Sequence, residues 1–218
     1  MKNEPMKQSP HEAPVTVPAG RIRLQGILGL PEKPAGVVLF AHGSGSGRLS
    51  PRNTFVARTL QQGGLATLLL DLLETHEAED RRKVFDIDLL ADRLLAATDW
   101  LAREPRTQAL RLGYFGASTG AGAALQAAAR SPVSVAAVVS RGGRPDLAAP
   151  YLPQVTAPTL LIVGGDDFPV IEMNQEALAL LSCPKELVIV PGATHLFEEP
   201  GTLEQVAGHA LRWFLRHL

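Results

Sequence analysis

The sequence contains a single cysteine, Cys183, among 218 residues. One thiol cannot form an internal disulfide, which excludes the class of small secreted domains that disulfides hold together and favours a reducing compartment. No two histidines or cysteines fall at the spacing typical of a zinc site. We therefore expect neither a metal nor any other cofactor.

The sequence also lacks an excess of charge and any long apolar run. Its 21 lysines and arginines nearly balance its 22 aspartates and glutamates, which gives a net charge of −1. Nothing in this balance indicates nucleic acid or an anionic membrane as a partner.

No apolar run reaches the roughly 18 residues of a membrane span. The opening stretch MKNEPMKQSPHEAP is too polar for a signal peptide. We expect a cytoplasmic protein, with a flexible tail at 1–13 and one domain at 14–218.

Short, continuously apolar runs recur along the chain and predict strands that are buried on both faces of a parallel sheet. The six runs are Val37–Ala41, Ala66–Leu70, Leu112–Phe115, Ala136–Ser140, Thr159–Val163 and Glu186–Val190. Two earlier segments, Pro14–Val17 and Arg21–Leu28, are predicted to pair as a hairpin.

Apolar residues at helical spacing lie between these strands, as in Ile87–Arg103. The other predicted helices are Asn53–Gln62, Ser118–Arg130, Val170–Leu181 and Leu203–His217. This order predicts an α/β domain with a mostly parallel eight-stranded sheet and helices on both faces. The charged segment 72–83 is interpreted either as a mobile loop or as the start of a solvated helix.

A serine flanked by glycines follows one predicted strand, in the stretch RLGYFGASTGAG. Gly116 and Gly120 stand two residues before and after Ser118, which opens a predicted helix. This is the context of a nucleophile elbow, in which a strained bend exposes the hydroxyl and small neighbours allow close backbone approach. A flexible turn that carries an ordinary hydroxyl is the alternative interpretation.

A serine nucleophile needs a base, and the base needs an acid to orient it. Among six histidines, His195 stands just after the last predicted strand, in PGATHLF. The loop GGDDFPV, which follows the strand TLLIV, offers Asp166 and Asp167. The chain order serine, acid, histidine, with each residue after a different strand, predicts a catalytic triad of Ser118, one of these aspartates and His195.

Backbone amides are the predicted donors to the tetrahedral intermediate of acyl transfer. The stretch HGSGSG follows a predicted strand, and the amide of Ser44 is expected to form an oxyanion hole with that of Thr119. The alternative for HGSGSG is a phosphate-binding glycine loop. That alternative lacks the lysine of a P-loop and the register of a GxGxxG motif.

From about Val15 to Leu218 the chain resembles the α/β-hydrolases, and it looks closest to their dienelactone-hydrolase-like branch. The stretches HGSGSGRLSPRN, GASTGAG and GATHLFEEPGTLEQVA resemble a subgroup often fused to, or encoded beside, phosphoribosyltransferase domains, which implies a possible functional link to such an enzyme. The resemblance implies Asp167 as the triad acid, because the family's aspartate stands two positions after the glycine pair. Dienelactone hydrolases proper use a cysteine nucleophile, so the serine here implies an esterase scaffold more firmly than a dienelactone substrate.

Arginines in loops of the predicted active face are candidates for binding an acidic group of the substrate, because guanidinium pairs well with carboxylate or phosphate. They are Arg48, Arg52, Arg141 and Arg144. The alternative is that they form ion pairs with Asp71 or Asp146 that shape the loops.

Together these features predict a cofactor-free serine hydrolase of the carboxylesterase type, which cleaves small-molecule esters through an acyl-enzyme. A lactone or thioester hydrolase of the dienelactone-hydrolase type is an alternative, since a triad serves those bonds too, and a non-catalytic accessory module on the same fold is another. Only the loop from Leu72 and the stretch Leu147–Gln154 could cover the site. A shallow site and short acyl groups are therefore expected.

Overall fold

Eight strands form one sheet in the computed structural model, which describes residues 11–218. The strands are β1 (His11–Ala19), β2 (Ile22–Leu30), β3 (Val37–Ala41), β4 (Ala66–Leu70), β5 (Leu112–Ala117), β6 (Val135–Arg141), β7 (Thr159–Gly164) and β8 (Lys185–Val190). Their spatial order is β1-β2-β4-β3-β5-β6-β7-β8. The hairpin of β1 and β2 is antiparallel and joins β4 in an antiparallel pair, whereas every later pair is parallel.

Helices cover both faces of this sheet, which confirms the predicted fold class. They are α1 (Pro51–Gln62), α2 (Thr75–Ala78), α3 (Arg81–Val84), α4 (Ile87–Leu101), α5 (Thr119–Arg130), α6 (Phe168–Leu180), α7 (Thr202–His217) and a 3₁₀ helix at Pro145–Gln154. One apolar layer joins the sheet to α4, α5, α6 and the 3₁₀ helix, and a second joins it to α1 and α7. Because both faces are covered, the central strands are buried throughout their length.

Two boundaries differ from the sequence-based prediction. Strand β1 already begins at His11, where it pairs with Leu30, so residues 11–13 belong to the sheet and not to a tail. The rest of the predicted tail, 1–10, lies outside the described residues. Strand β8 was predicted to be buried on both faces, but it pairs only with β7 at the sheet edge and most of its residues are partly exposed. An apolar run alone does not show whether a strand is central or at the edge.

Most of segment 72–83 is helical and solvent-exposed, which is closer to the interpretation as a solvated helix than to that as a loop. Leu72 and Leu73 are buried, and the two short helices α2 and α3 follow before α4 begins at Ile87. The carboxylate of Glu77 is buried beneath them and accepts hydrogen bonds from Lys83 (3.2 Å) and Arg93 (3.2 Å). The ion pairs bind this pair of helices to α4, and we call α2 and α3 the cap.

The N-terminus of α5 packs unusually close to the end of β3. A Cβ atom added at Gly120 would lie 2.2 Å from the carbonyl oxygen of Ala41 and 2.4 Å from that of His42. One added at Gly116 would lie 2.4 Å from the Cα atom of Ala121. Only glycine fits at these two positions, and their small size sets the short distance between the sheet and the helix.

Substitution of Gly120 tests this close approach. We expect Gly120→Ala to lower the free energy of unfolding by about 1–3 kcal/mol, because the methyl group meets two backbone carbonyls that cannot move aside. The matched control is Gly208→Ala in α7, where the nearest atom to an added Cβ is the flexible guanidinium of Arg212 at 3.4 Å. That control should raise stability by about 0.5–1 kcal/mol through helix propensity. Urea denaturation measures both, and equal effects of one sign would contradict the packing account.

Candidate active site

Ser118 lies on a strained backbone bend between β5 and α5. Its φ is 51° and its ψ is −122°, and among residues 11–218 only Phe197 shares a positive φ without being glycine. Such a conformation costs on the order of 1–3 kcal/mol. The bend is held from both sides: the Ser118 amide donates to the carbonyl of Arg141 (3.2 Å), and its carbonyl accepts from the amides of Ala121 (3.0 Å) and Arg144 (3.0 Å). A flexible turn does not have this geometry.

The structure brings His195 and Asp167 to this serine. Nδ1 of His195 lies 2.7 Å from Oδ2 of Asp167, and its Nε2 lies 3.4 Å from Oγ of Ser118. If Nδ1–H donates to the carboxylate, Nε2 is left as the acceptor that faces the serine hydroxyl. The second distance is long for a hydrogen bond, which is common in unliganded enzymes. Asp166 is exposed and makes no such contact, so of the two aspartates Asp167 is the one placed beside the histidine.

Sequence reasoning missed the groups that hold the His195 loop in place. Glu199 accepts hydrogen bonds from the amide (3.1 Å) and the hydroxyl (2.6 Å) of Thr194. Phe197, the other residue with positive φ, is 2% exposed and anchors the loop in the core. The signal was present as the acidic pair that follows HLF, but only the folded geometry shows which carboxylate turns back onto the loop.

The predicted oxyanion donors are adjacent, but one of them is already bonded. The amide of Ser44 donates to the Oγ1 atom of Thr119 at 3.1 Å. The amide of Thr119 is the first of α5, so it has no acceptor within the helix. Sequence reasoning considered only the backbone of Thr119, whereas its side chain holds the loop that carries Ser44. An incoming oxyanion would have to share the Ser44 amide with this hydroxyl or displace it.

His42 connects the same loop to the segment before the cap. Its Nδ1–H donates to the carbonyl of Gly43 (3.0 Å), and its Nε2 accepts from the amide of Leu72 (2.9 Å). Burial lowers the pKa of His42, although the Gly43 carbonyl and the charge of Asp71 act in the opposite direction. The imidazole is therefore neutral near pH 7 and acts as a structural link between the ends of β3 and β4.

The four candidate arginines are in different environments. Arg48 is paired with Asp71, and Arg144 is paired with Asp146 through two hydrogen bonds of 2.8 and 2.7 Å. These two fit the alternative in which ion pairs shape the loops. The remaining two, Arg52 and Arg141, line the cavity in front of Ser118 and His195.

That cavity has a volume of about 140 Å³, and we call it the catalytic cavity. Arg52 contacts Glu198 at its rim through a 3.3 Å hydrogen bond. Arg141 is only 7% exposed, and within residues 11–218 no carboxylate pairs with it. Burial, and secondarily the positive charge of Arg52, lower the pKa of Arg141 to about 10, so it remains charged at neutral pH. Its guanidinium lies 5.8 Å from the ring centroid of Phe197.

Comparison with known proteins assigns the family. The model of the dienelactone hydrolase family matches residues 24–213. The chain belongs to the dienelactone hydrolase family. A solved dienelactone hydrolase from Anabaena variabilis is 60% identical and has a TM-score of 0.94, with 97% of this chain and 100% of that chain covered. The resemblance stated from the sequence is thereby confirmed.

Two further relatives show how much of each chain the similarity covers. A putative phosphoribosyl transferase of Mycobacterium tuberculosis is 61% identical over 204 residues, which are 94% of this chain and 46% of that protein. The chain thus spans about half the length of the curated relatives it matches. Est1E from Butyrivibrio proteoclasticus is 18% identical, with a TM-score of 0.79 over 93% of this chain and 98% of its own, and it shares the fold. Within residues 11–218, no helix of this family member is long and apolar enough to cross a membrane.

Proposed function

We propose that this domain is a serine hydrolase that cleaves small carboxylic esters through an acyl-enzyme on Ser118. The observation that carries the proposal is the position of His195, with one ring nitrogen 3.4 Å from the serine hydroxyl and the other 2.7 Å from Asp167. The positive φ of Ser118 supports it, since strain of this kind clusters at functional sites.

Each residue has a defined role in the proposed reaction. Ser118 Oγ attacks the ester carbonyl while Nε2 of His195 takes its proton, and Asp167 fixes the imidazole tautomer and stabilises its charged form. The amides of Ser44 and Thr119 donate to the oxyanion. His195 then returns the proton to the leaving alcohol, and a water molecule activated by the same imidazole hydrolyses the acyl-enzyme.

Lactone hydrolysis is a second candidate, and the family favours it. A lactone is a cyclic ester, and the 60%-identical relative is described as a dienelactone hydrolase. The same serine, base and oxyanion donors would open the ring, with the alcohol remaining attached to the acyl group.

The name of the mycobacterial relative further supports a functional link to a phosphoribosyl transferase. Under this proposal the non-catalytic alternative is disfavoured, because an inert module has no need of a strained serine.

Of the four candidate arginines, Arg141 is the one best placed to bind an acidic group of the substrate. A buried cation without a counter-charge is costly, and a bound carboxylate or phosphate would offset that cost. Arg52, on the same cavity, adds a second positive charge. We therefore infer that the substrate carries an anionic group that lies against Arg141.

Labelling with a fluorophosphonate probe tests the nucleophile. We expect the wild-type protein to be labelled on Ser118 and Ser118→Ala to lose labelling, together with at least about a 10³-fold loss of ester hydrolysis. The matched control is Ser131→Ala, which removes a hydroxyl at the far end of α5 and should label normally. Labelling that persists in Ser118→Ala would show that the reactive group is elsewhere.

Arginine substitutions test anion recognition with two esters of the same acid, phenyl acetate and 4-carboxyphenyl acetate. We expect Arg141→Met to lower the ratio of kcat/KM for the anionic ester to that for the neutral ester by about 10- to 100-fold, the value of a hydrogen bond to a charged group. Methionine keeps the buried volume. Arg144→Met is the control, because Arg144 is already occupied by Asp146. An unchanged ratio in Arg141→Met, or an equal change in both variants, would remove Arg141 from substrate binding.

A further inference from the structure

A second cavity adjoins the loop that carries the proposed oxyanion donor Ser44. Its volume is about 260 Å³, and it shares Gly43, Ser44 and Ser46 with the catalytic cavity. Thr119 lines only this second cavity, whereas Ser118 and His195 line only the catalytic one. The loop with Ser44 therefore lines both spaces, and we call the second space the cap cavity because Ala78 and Val84 of the cap line it.

We propose that the cap cavity holds the acyl half of the substrate and that the alcohol half occupies the catalytic cavity. This inference rests on the proposed serine hydrolase function. It assigns the substrate class as esters between a small, uncharged, apolar acid and an alcohol that carries an acidic group.

The position of the base determines which half lies where. His195 must deliver its proton to the oxygen of the leaving alcohol, so that oxygen has to lie on the side of the imidazole. The imidazole lines the catalytic cavity. With the carbonyl oxygen between the amides of Ser44 and Thr119, the acyl carbon chain leaves the reacting centre in the other direction. The space in that direction is the cap cavity, on the side of Thr119.

The walls of the two cavities differ in chemistry in the way this assignment requires. Leu73, Ala78, Val84 and Leu90 line the cap cavity with hydrocarbon. Its remaining lining comes from the glycine–serine loop, Thr119 and the neutral His42, so no charged side chain of the described residues lines it. The catalytic cavity carries two arginines instead. An apolar acyl group gains about 25 cal/mol for each Å² it buries, while a carboxylate would be desolvated without a partner.

The cap cavity is large enough for a small acyl group. An apolar cavity of about 150 Å³ is known to hold a benzene molecule. At about 260 Å³, the cap cavity has room for a short branched chain or a single ring. This agrees with the expectation of short acyl groups.

Ion pairs join the cap to α4 and hold the residues that line the cap cavity. The buried carboxylate of Glu77 accepts hydrogen bonds from the amide of Glu74 (3.1 Å), from Lys83 and from Arg93. Burial alone would raise the pKa of Glu77, but the Glu74 amide and the two cations outweigh burial and lower it. The carboxylate is therefore ionised at neutral pH and holds the two short helices that contribute Ala78 and Val84.

Acyl-length selectivity tests the assignment. The substrates are p-nitrophenyl acetate, butyrate and hexanoate, which differ only in the acid. Ala78→Phe should narrow the cap cavity and lower the ratio of kcat/KM for hexanoate to that for acetate at least 10-fold. Val84→Ala should enlarge the cavity and raise the same ratio at least 3-fold. Glu79→Phe is the matched control, since this exposed neighbour of Ala78 does not line the cavity, and it should keep the wild-type ratio.

The outcomes separate this inference from the function on which it rests. A shift of the ratio in the stated direction in either lining variant, with none in Glu79→Phe, supports the acyl assignment. No shift in both lining variants, or an equal shift in the control, overturns it while leaving the esterase intact. The acyl assignment is also overturned if Ala78→Phe changes the selectivity among acetates of different alcohols and leaves the selectivity for acyl length unchanged. If the wild-type protein reacted with neither the esters nor the fluorophosphonates, the proposed function would be overturned, and the inference with it.

Discussion

The strained backbone at Ser118 is the constraint on which the rest of the site depends. At a φ of 51° the chain turns sharply from β5 into α5, so the hydroxyl stands above the sheet edge and not within the core. The glycines at 116 and 120 allow this because the helix start touches the carbonyl of Ala41. The same contact brings the loop after β3, with Ser44, beside the first amide of α5. One bend thus positions both the hydroxyl and the proposed oxyanion donors.

Sequence patterns were sufficient for the fold, for Ser118 and for His195, and they reduced the choice of acid to two neighbouring aspartates. Apolar runs mark buried parallel strands, and residues that follow such strands gather at one edge, so Ser118, His195 and one of the two aspartates were expected to be neighbours. The identity of the acid came from the family resemblance and not from spacing. Periodicity did not reveal that β8 is an edge strand or that β1 begins at His11, because both depend on what packs against the sheet.

The sequence did not show which charged side chains pair with one another. Four arginines looked equivalent, yet Asp71 and Asp146 occupy two of them and Arg141 remains buried without a carboxylate among the described residues. The hydroxyl of Thr119 and the carboxylate of Glu77 are similar cases, since each becomes important only through residues distant in the chain. Two cavities adjoin the loop that carries Ser44, one lined by two arginines and the other lined mainly by apolar side chains. The proposed substrate follows from that difference.

The crystal structure of the protein after reaction with a fluorophosphonate tests the central claim most directly, because the adduct mimics the tetrahedral intermediate. The account predicts phosphorus bonded to Oγ of Ser118 and the phosphoryl oxygen within about 3.1 Å of the amide nitrogens of Ser44 and Thr119. It also predicts Nε2 of His195 on the side of the departed group. Phosphorus on another side chain, or a phosphoryl oxygen turned away from both amides, would contradict it.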